Sequence, residues 1–146
     1  MEARGFTLLE LLIVVAIMAV ATAGVSFAMR DSSQTQLERE GQRLAALLET
    51  ARARSRITGI PVRWRVVADG FVFDGLTGET NLPTQWLGTD TQASGGPVTL
   101  GPEPLLTPQY VRLAMGTQPG RSLVVGSNGL QPFRILAGDA PAAESP

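Results

Sequence analysis

The chain has 146 residues and a net charge of −1, its twelve basic side chains are all arginine, and it contains no histidine and no cysteine. That length holds one ordinary domain, or a small domain plus a membrane segment. The charge balance excludes a globally electrostatic nucleic-acid binder, and the missing residue types exclude disulfides, thiolate metal sites, cysteine nucleophiles and histidine as general base or zinc ligand.

Phe6 to Met29 is apolar except for Thr7, Glu10, Thr22 and Ser26, with Gly24 near its end. As a helix it is roughly 36 Å long, enough for a hydrocarbon core of about 30 Å. Glu10 is the anomaly, because an ionised group inside hydrocarbon costs about 2.5–3.5 kcal/mol at mid-helix and less near an end. Three readings compete. A secretory signal peptide accounts for Ala21-Thr22-Ala23 before Gly24, a small-x-small cleavage pattern, but Glu10 interrupts its apolar stretch. An ordinary single-span anchor leaves Glu10 as a cost without purpose. The third reading gives Glu10 a role.

Gly5-Phe6-Thr7-Leu8-Leu9-Glu10, ahead of a long apolar helix, resembles the N-terminus of type IV pilins and of the pseudopilins of type II secretion. The resemblance implies that a prepilin peptidase cuts between Gly5 and Phe6 and N-methylates Phe6. Residues 1–5 would then be a leader, and 6–29 a transmembrane and assembly helix. The new amine of Phe6 lies one turn from Glu10, since i and i+4 share a helix face. Glu10 of one subunit can meet the Phe6 amine of its neighbour, fixing register in lipid where charges find few partners. A count of Arg30, Arg39 and Arg43 against Asp31, Glu38 and Glu40 would place the C-terminal part in the cytoplasm. The resemblance implies a periplasmic C-terminal domain, and we adopt that orientation as the expectation.

Residues 30–58 are expected to continue the helix as an amphipathic half. Leu37, Leu44, Leu47, Leu48 and Ala51 recur at three- and four-residue spacing, with Glu38, Arg39, Glu40, Gln42, Arg43 and Glu49 between them. The stripe predicts packing on a sheet, and Gly59 with Pro61 predicts the stop. Val62, Trp64 and Val66 then alternate with Arg63 and Arg65, Asp69-Gly70 signals a hairpin, and Phe71-Val72-Phe73 reads as the returning strand. Residues 78–101 form a poorly patterned connection, with Trp86 and Leu87 as anchors and a short strand near Val98–Leu100. Tyr110–Ala114 and Ser122–Val125 are further expected strands, and Ser127-Asn128-Gly129 is a turn into a last strand from Pro132 to Leu136. Residues 137–146 read as a disordered tail.

The predicted fold class is α+β and pilin-like: one long N-terminal helix, its first half membrane-spanning, packed on a mostly antiparallel β domain at 59–136. The segments "ALLETARARSRITGIPVRWRV" and "LVVGSNGLQPFRILAG" together resemble the minor pseudopilin H family (GspH, related to the minor pilin FimT). This implies a non-enzymatic subunit of a type II secretion pseudopilus in the bacterial inner membrane and periplasm. Its partners would be major and minor pseudopilins, the prepilin peptidase and secreted protein substrates. A FimT-like type IV pilus subunit is the alternative. There DNA would meet a basic surface patch of Arg52, Arg56, Arg63 and Arg65, weighed against a solvated face with pairs such as Glu49–Arg52. A periplasmic domain released by signal peptidase is the remaining alternative. Asp69, Asp74, Glu79, Asp90, Glu103 and Asp139 are scattered, so no catalytic residue, cofactor or metal site is expected.

Overall fold

A computed structural model of the chain describes residues 6–77 and 81–136. The expected leader at 1–5 and tail at 137–146 lie outside the described residues. The chain divides into two units, Met1–Gln34 and Thr35–Pro146. One helix, α1 (Leu8–Thr58), contributes to both and runs without interruption through the polar stretch after Met29, where no proline stands.

In the first unit α1 starts where Thr7 caps it. The Thr7 carbonyl accepts the amides of Glu10 at 3.1 Å and Leu11 at 3.2 Å, and its hydroxyl oxygen accepts Glu10 N–H at 3.3 Å. From there Leu8–Val25 is long and apolar enough to cross a membrane, and none of it is buried by the protein. Large apolar side chains exposed all round a helix suit a hydrocarbon surround rather than a protein core.

In the second unit α1 turns one face inward. Leu37, Leu44, Leu48 and Ala51 are buried at the predicted spacing, and Leu47 is partly covered. Glu40, placed by its polarity among the solvent-facing residues, is instead 1% exposed. Its carboxylate accepts Leu87 N–H at 2.8 Å and the Arg43 guanidinium at 3.1 Å, which satisfies it inside. The helix ends at Thr58, with Gly59 at φ +71° donating its N–H to the Ser55 carbonyl at 2.8 Å. Glycine takes this left-handed conformation without a Cβ penalty.

Two antiparallel sheets follow. The first has the order β2-β1-β4, from β1 (Arg63–Val67), β2 (Gly70–Asp74) and β4 (Val98–Thr99). The second has the order β3-β5-β6-β7, from β3 (Thr91–Ser94), β5 (Gln109–Met115), β6 (Gln118–Ser127) and β7 (Arg134–Leu136). Val62 and Trp64 are buried while Arg63 and Arg65 face out, as the alternation requires. Trp64 and Phe71 lie 5.9 Å apart between ring centroids, and Phe71 and Trp86 4.7 Å. Both sheets and the α1 stripe contribute to one apolar cluster, including Trp64, Leu100, Val111, Leu113 and Val125.

Four expectations shift. The first hairpin turns on Ala68-Asp69, because Val67 pairs with Gly70 and Gly70 opens β2. Residues 91–94, inside the supposed connection, form β3; Thr-Gln-Ala-Ser carries no apolar alternation, and its strand geometry comes from pairing with β5. Leu87 is 62% exposed and anchors its loop through its amide rather than its side chain. The last strand starts at Arg134 rather than Pro132, since proline has no N–H to give a ladder.

Candidate functional site

The processing and assembly residues fall on the first turn of α1. Gly5 lies outside the described residues, Phe6 is 78% exposed, and Glu10 is exposed on the apolar span. Thr7 to Glu10 also has the T-x-x-E form of a capping box, and the Thr7 half of that box is formed. The cap was legible as Thr followed three residues later by Glu before an apolar run. Glu10 therefore stands where a carboxylate favours the positive end of the helix dipole and within one turn of Phe6.

The four arginines of the expected surface patch do not act together. Arg52 is 3% exposed and is no surface residue. Its guanidinium donates to the Gly129 carbonyl at 2.8 Å and to the Gln131 carbonyl at 3.4 Å, with Glu49 at 3.5 Å. Carbonyls freed by the turn take the two terminal nitrogens of the guanidinium, which draws it under that turn, while its buried Nε has no partner. Arg65 is half-exposed and forms a two-bond pair with Asp74 at 2.7 and 3.3 Å across the hairpin. The hydrogen bond and charge of Arg65 hold the Asp74 carboxyl below the usual range, and Asp74 in turn raises Arg65. Arg56 reaches the Pro104 carbonyl at 3.5 Å, and Arg63 is exposed.

Arg52 belongs to a clamp that closes the β domain on α1. In the turn between β6 and β7, Ser127 Oγ accepts Gly129 N–H at 3.0 Å and donates to the Gln131 carbonyl at 2.6 Å. Asn128 Oδ1 accepts the amides of Leu130 at 3.1 Å and Gln131 at 2.8 Å. Gly129 sits at φ +90°, and a Cβ there would collide with the Leu106 carbonyl. Glu49 accepts Phe133 N–H at 2.9 Å. The signal for this clamp was the four-residue spacing that puts Glu40, Leu44, Leu48 and Arg52 on one face.

Among the described residues no group of three or more His, Cys, Asp or Glu side chains is placed to hold a metal ion. Asp90 is a further carboxylate with a structural role. Its Oδ2 accepts Thr117 N–H at 2.8 Å and the Thr117 hydroxyl at 2.6 Å, tying the β5–β6 turn. Those bonds, the hydroxyl's first, lower its pKa.

Residues 1–26 match the family described as the prokaryotic N-terminal methylation motif. The chain is also 33% identical, over 78 residues, to type II secretion system protein H of Escherichia coli (strain K12). That match covers 47% of this chain and 46% of the relative, so the chain spans less than half the length of the curated protein it matches. No solved structure matches. With an exposed apolar helix behind a methylation motif and a helix-backed antiparallel β domain, the chain has a pilin-like α+β arrangement and is similar to protein H of type II secretion.

Proposed function

We propose that the chain is a minor pseudopilin, a structural subunit rather than an enzyme, that assembles with other pseudopilins into a type II secretion pseudopilus serving export of folded proteins. Residues 1–5 are the leader removed by prepilin peptidase, 6–29 span the inner membrane, 30–58 continue the helix, and 59–136 form a periplasmic domain. The observation that carries the reading is the single carboxylate of Glu10, one turn after Phe6 on a span none of whose surface the protein buries. Cutting before Phe6 creates an ammonium beside that carboxylate, and a neighbouring helix can share it. Small residues such as Ala16, Ala19 and Ala23 allow close helix approach in lipid.

Intact mass of the membrane-extracted protein is the first test. A chain starting at N-methylated Phe6 supports the proposal, whereas one starting at Gly24 identifies a cleaved signal peptide and overturns it. The FimT-like, DNA-binding alternative is the weaker reading, because Arg52 is internal and Arg65 is occupied by Asp74. An exoprotein secretion defect on deletion fits the first reading, and lost DNA retention in an Arg56→Ala, Arg63→Ala double variant fits the alternative.

A further inference from the structure

The two sheets leave a slot between them that no strand among the described residues fills. Leu100 N–H donates to the Val62 carbonyl at 2.9 Å, and the register pairs Trp64 with Val98. Backbone groups alternate sides along an antiparallel strand, so those of Val62, Trp64 and Val66 all face the β4 side of β1. β4 begins only at Val98, so among the described residues no strand pairs with Val66 on that side. On the second sheet, Gly116 N–H donates to the Asp90 carbonyl at 2.9 Å while Thr91 N–H turns away to the Gly88 carbonyl at 3.4 Å. Gln92 and Ser94 therefore serve β5, and the N–H and C=O of Ala93 point off the free edge of β3.

Both free edges border the same cleft. Its volume is about 570 Å³, and its walls are Val66–Ala68 on one side and Thr91–Ala93 on the other, with Trp86 between them. No residue of β5 lines it, so it lies on the open edge of β3. Thr91 contributes a second observation: its hydroxyl is buried, with the residue 7% exposed, and has no hydrogen-bond partner. Buried hydroxyls are seldom left so.

We propose that this slot accepts an extended segment of a different polypeptide, which pairs with β1 through Val66 and with β3 through Ala93 and so joins the two sheets into one. A slot with hydrogen-bonding groups on both walls takes a lone strand, not the edge of a folded sheet. Every described strand of this chain is already paired, so a second copy has none to spare. The chain's own residues 137–146 include Pro141 and Pro146, which lack the amide a ladder needs; if they occupied the slot, Val66 and Ala93 would be protected without peptide at any protein concentration, which overturns the proposal. The proposal stands independently of how the N-terminus is processed.

The test uses the full chain in detergent micelles with the acetylated, amidated peptide Lys-Thr-Val-Thr-Val-Thr-Lys as probe and amide hydrogen exchange as readout. Saturating peptide is expected to slow exchange of the Val66 and Ala93 amides at least tenfold. Ala93→Pro removes only the outward N–H of an edge strand and is expected to weaken binding at least tenfold. Thr91→Val, which deletes the unpartnered hydroxyl, is a second variant expected to keep the fold and weaken binding several-fold. Unchanged exchange at Val66 and Ala93 overturns the proposal, as does protection confined to Gly70–Asp74 or Arg134–Leu136. Protection that grows with protein concentration in the absence of peptide assigns the slot to a second copy and also overturns it.

Discussion

Arg52 shows how one side chain can tie a helix to a turn it precedes by more than seventy residues. Its guanidinium serves the Gly129 and Gln131 carbonyls together, and charge-assisted bonds of this kind contribute about 1.5–3 kcal/mol. We expect Arg52→Ala to cost about 2–3 kcal/mol, read from the urea midpoint by fluorescence of Trp64 and Trp86, both packed in the β domain. Arg52→Lys should recover little, since an ammonium lacks the fork that reaches two carbonyls. Gly129→Ala should cost at least as much, about 3 kcal/mol, because it combines a strained φ with a backbone collision. Asp90 gives a pH dependence. Its folded pKa is depressed by Thr117, so the stability it contributes is present above its ordinary pKa of about 3.9 and is lost as pH falls through the lower folded value. Asp90→Asn should flatten the acid limb of the unfolding midpoint from about pH 4 downward, relative to the parent chain.

At the scale of elements, α1 presents two different surfaces. Its first part exposes apolar side chains on every side, and its second buries a narrow stripe against the sheets. Leu48, fully buried in that stripe, should cost about 2–5 kcal/mol on truncation to alanine, the spread set by how far the cavity collapses. The N-terminal cap is a smaller and more local device. Thr7→Ala should remove about 0.5–2 kcal/mol of helix-start stability, measured as faster amide exchange at Glu10 and Leu11 with the β domain unchanged. β3 is the element most dependent on its neighbours, since it owes its conformation to β5 on one side and faces the open slot on the other.

For the whole molecule, the question is whether Glu10 serves folding or association. Glutamine at the third helical position still fits a capping box, so Glu10→Gln removes the charge and keeps the local structure. On the proposed assembly, we expect this variant to match the parent in urea unfolding and to fail to co-purify with the other pseudopilins from solubilised membranes. Equal incorporation of Glu10→Gln and parent would show that register in the filament does not depend on the carboxylate. Glu10→Ala, losing charge and box together, should fail in incorporation to the same degree if the charge alone matters.

The sequence by itself determined the features that depend on spacing along one element. The apolar span, the leucine stripe, the helix stop at Gly59 and the alternation of Val62 and Trp64 with the arginines follow from the 3.6 and 2.0 residue periods. The Thr-x-x-Glu start was legible in the same way. Tertiary structure alone decided which polar residues go inside, because that depends on partners distant in sequence. Glu40 is buried where a loop amide from Leu87 meets it, and Arg52 where a turn leaves two carbonyls free. It also decided that Thr-Gln-Ala-Ser is a strand, through backbone pairing that side-chain pattern does not encode. The slot between the sheets belongs to the same class, since an unpaired backbone edge is visible only once every other edge has found its neighbour.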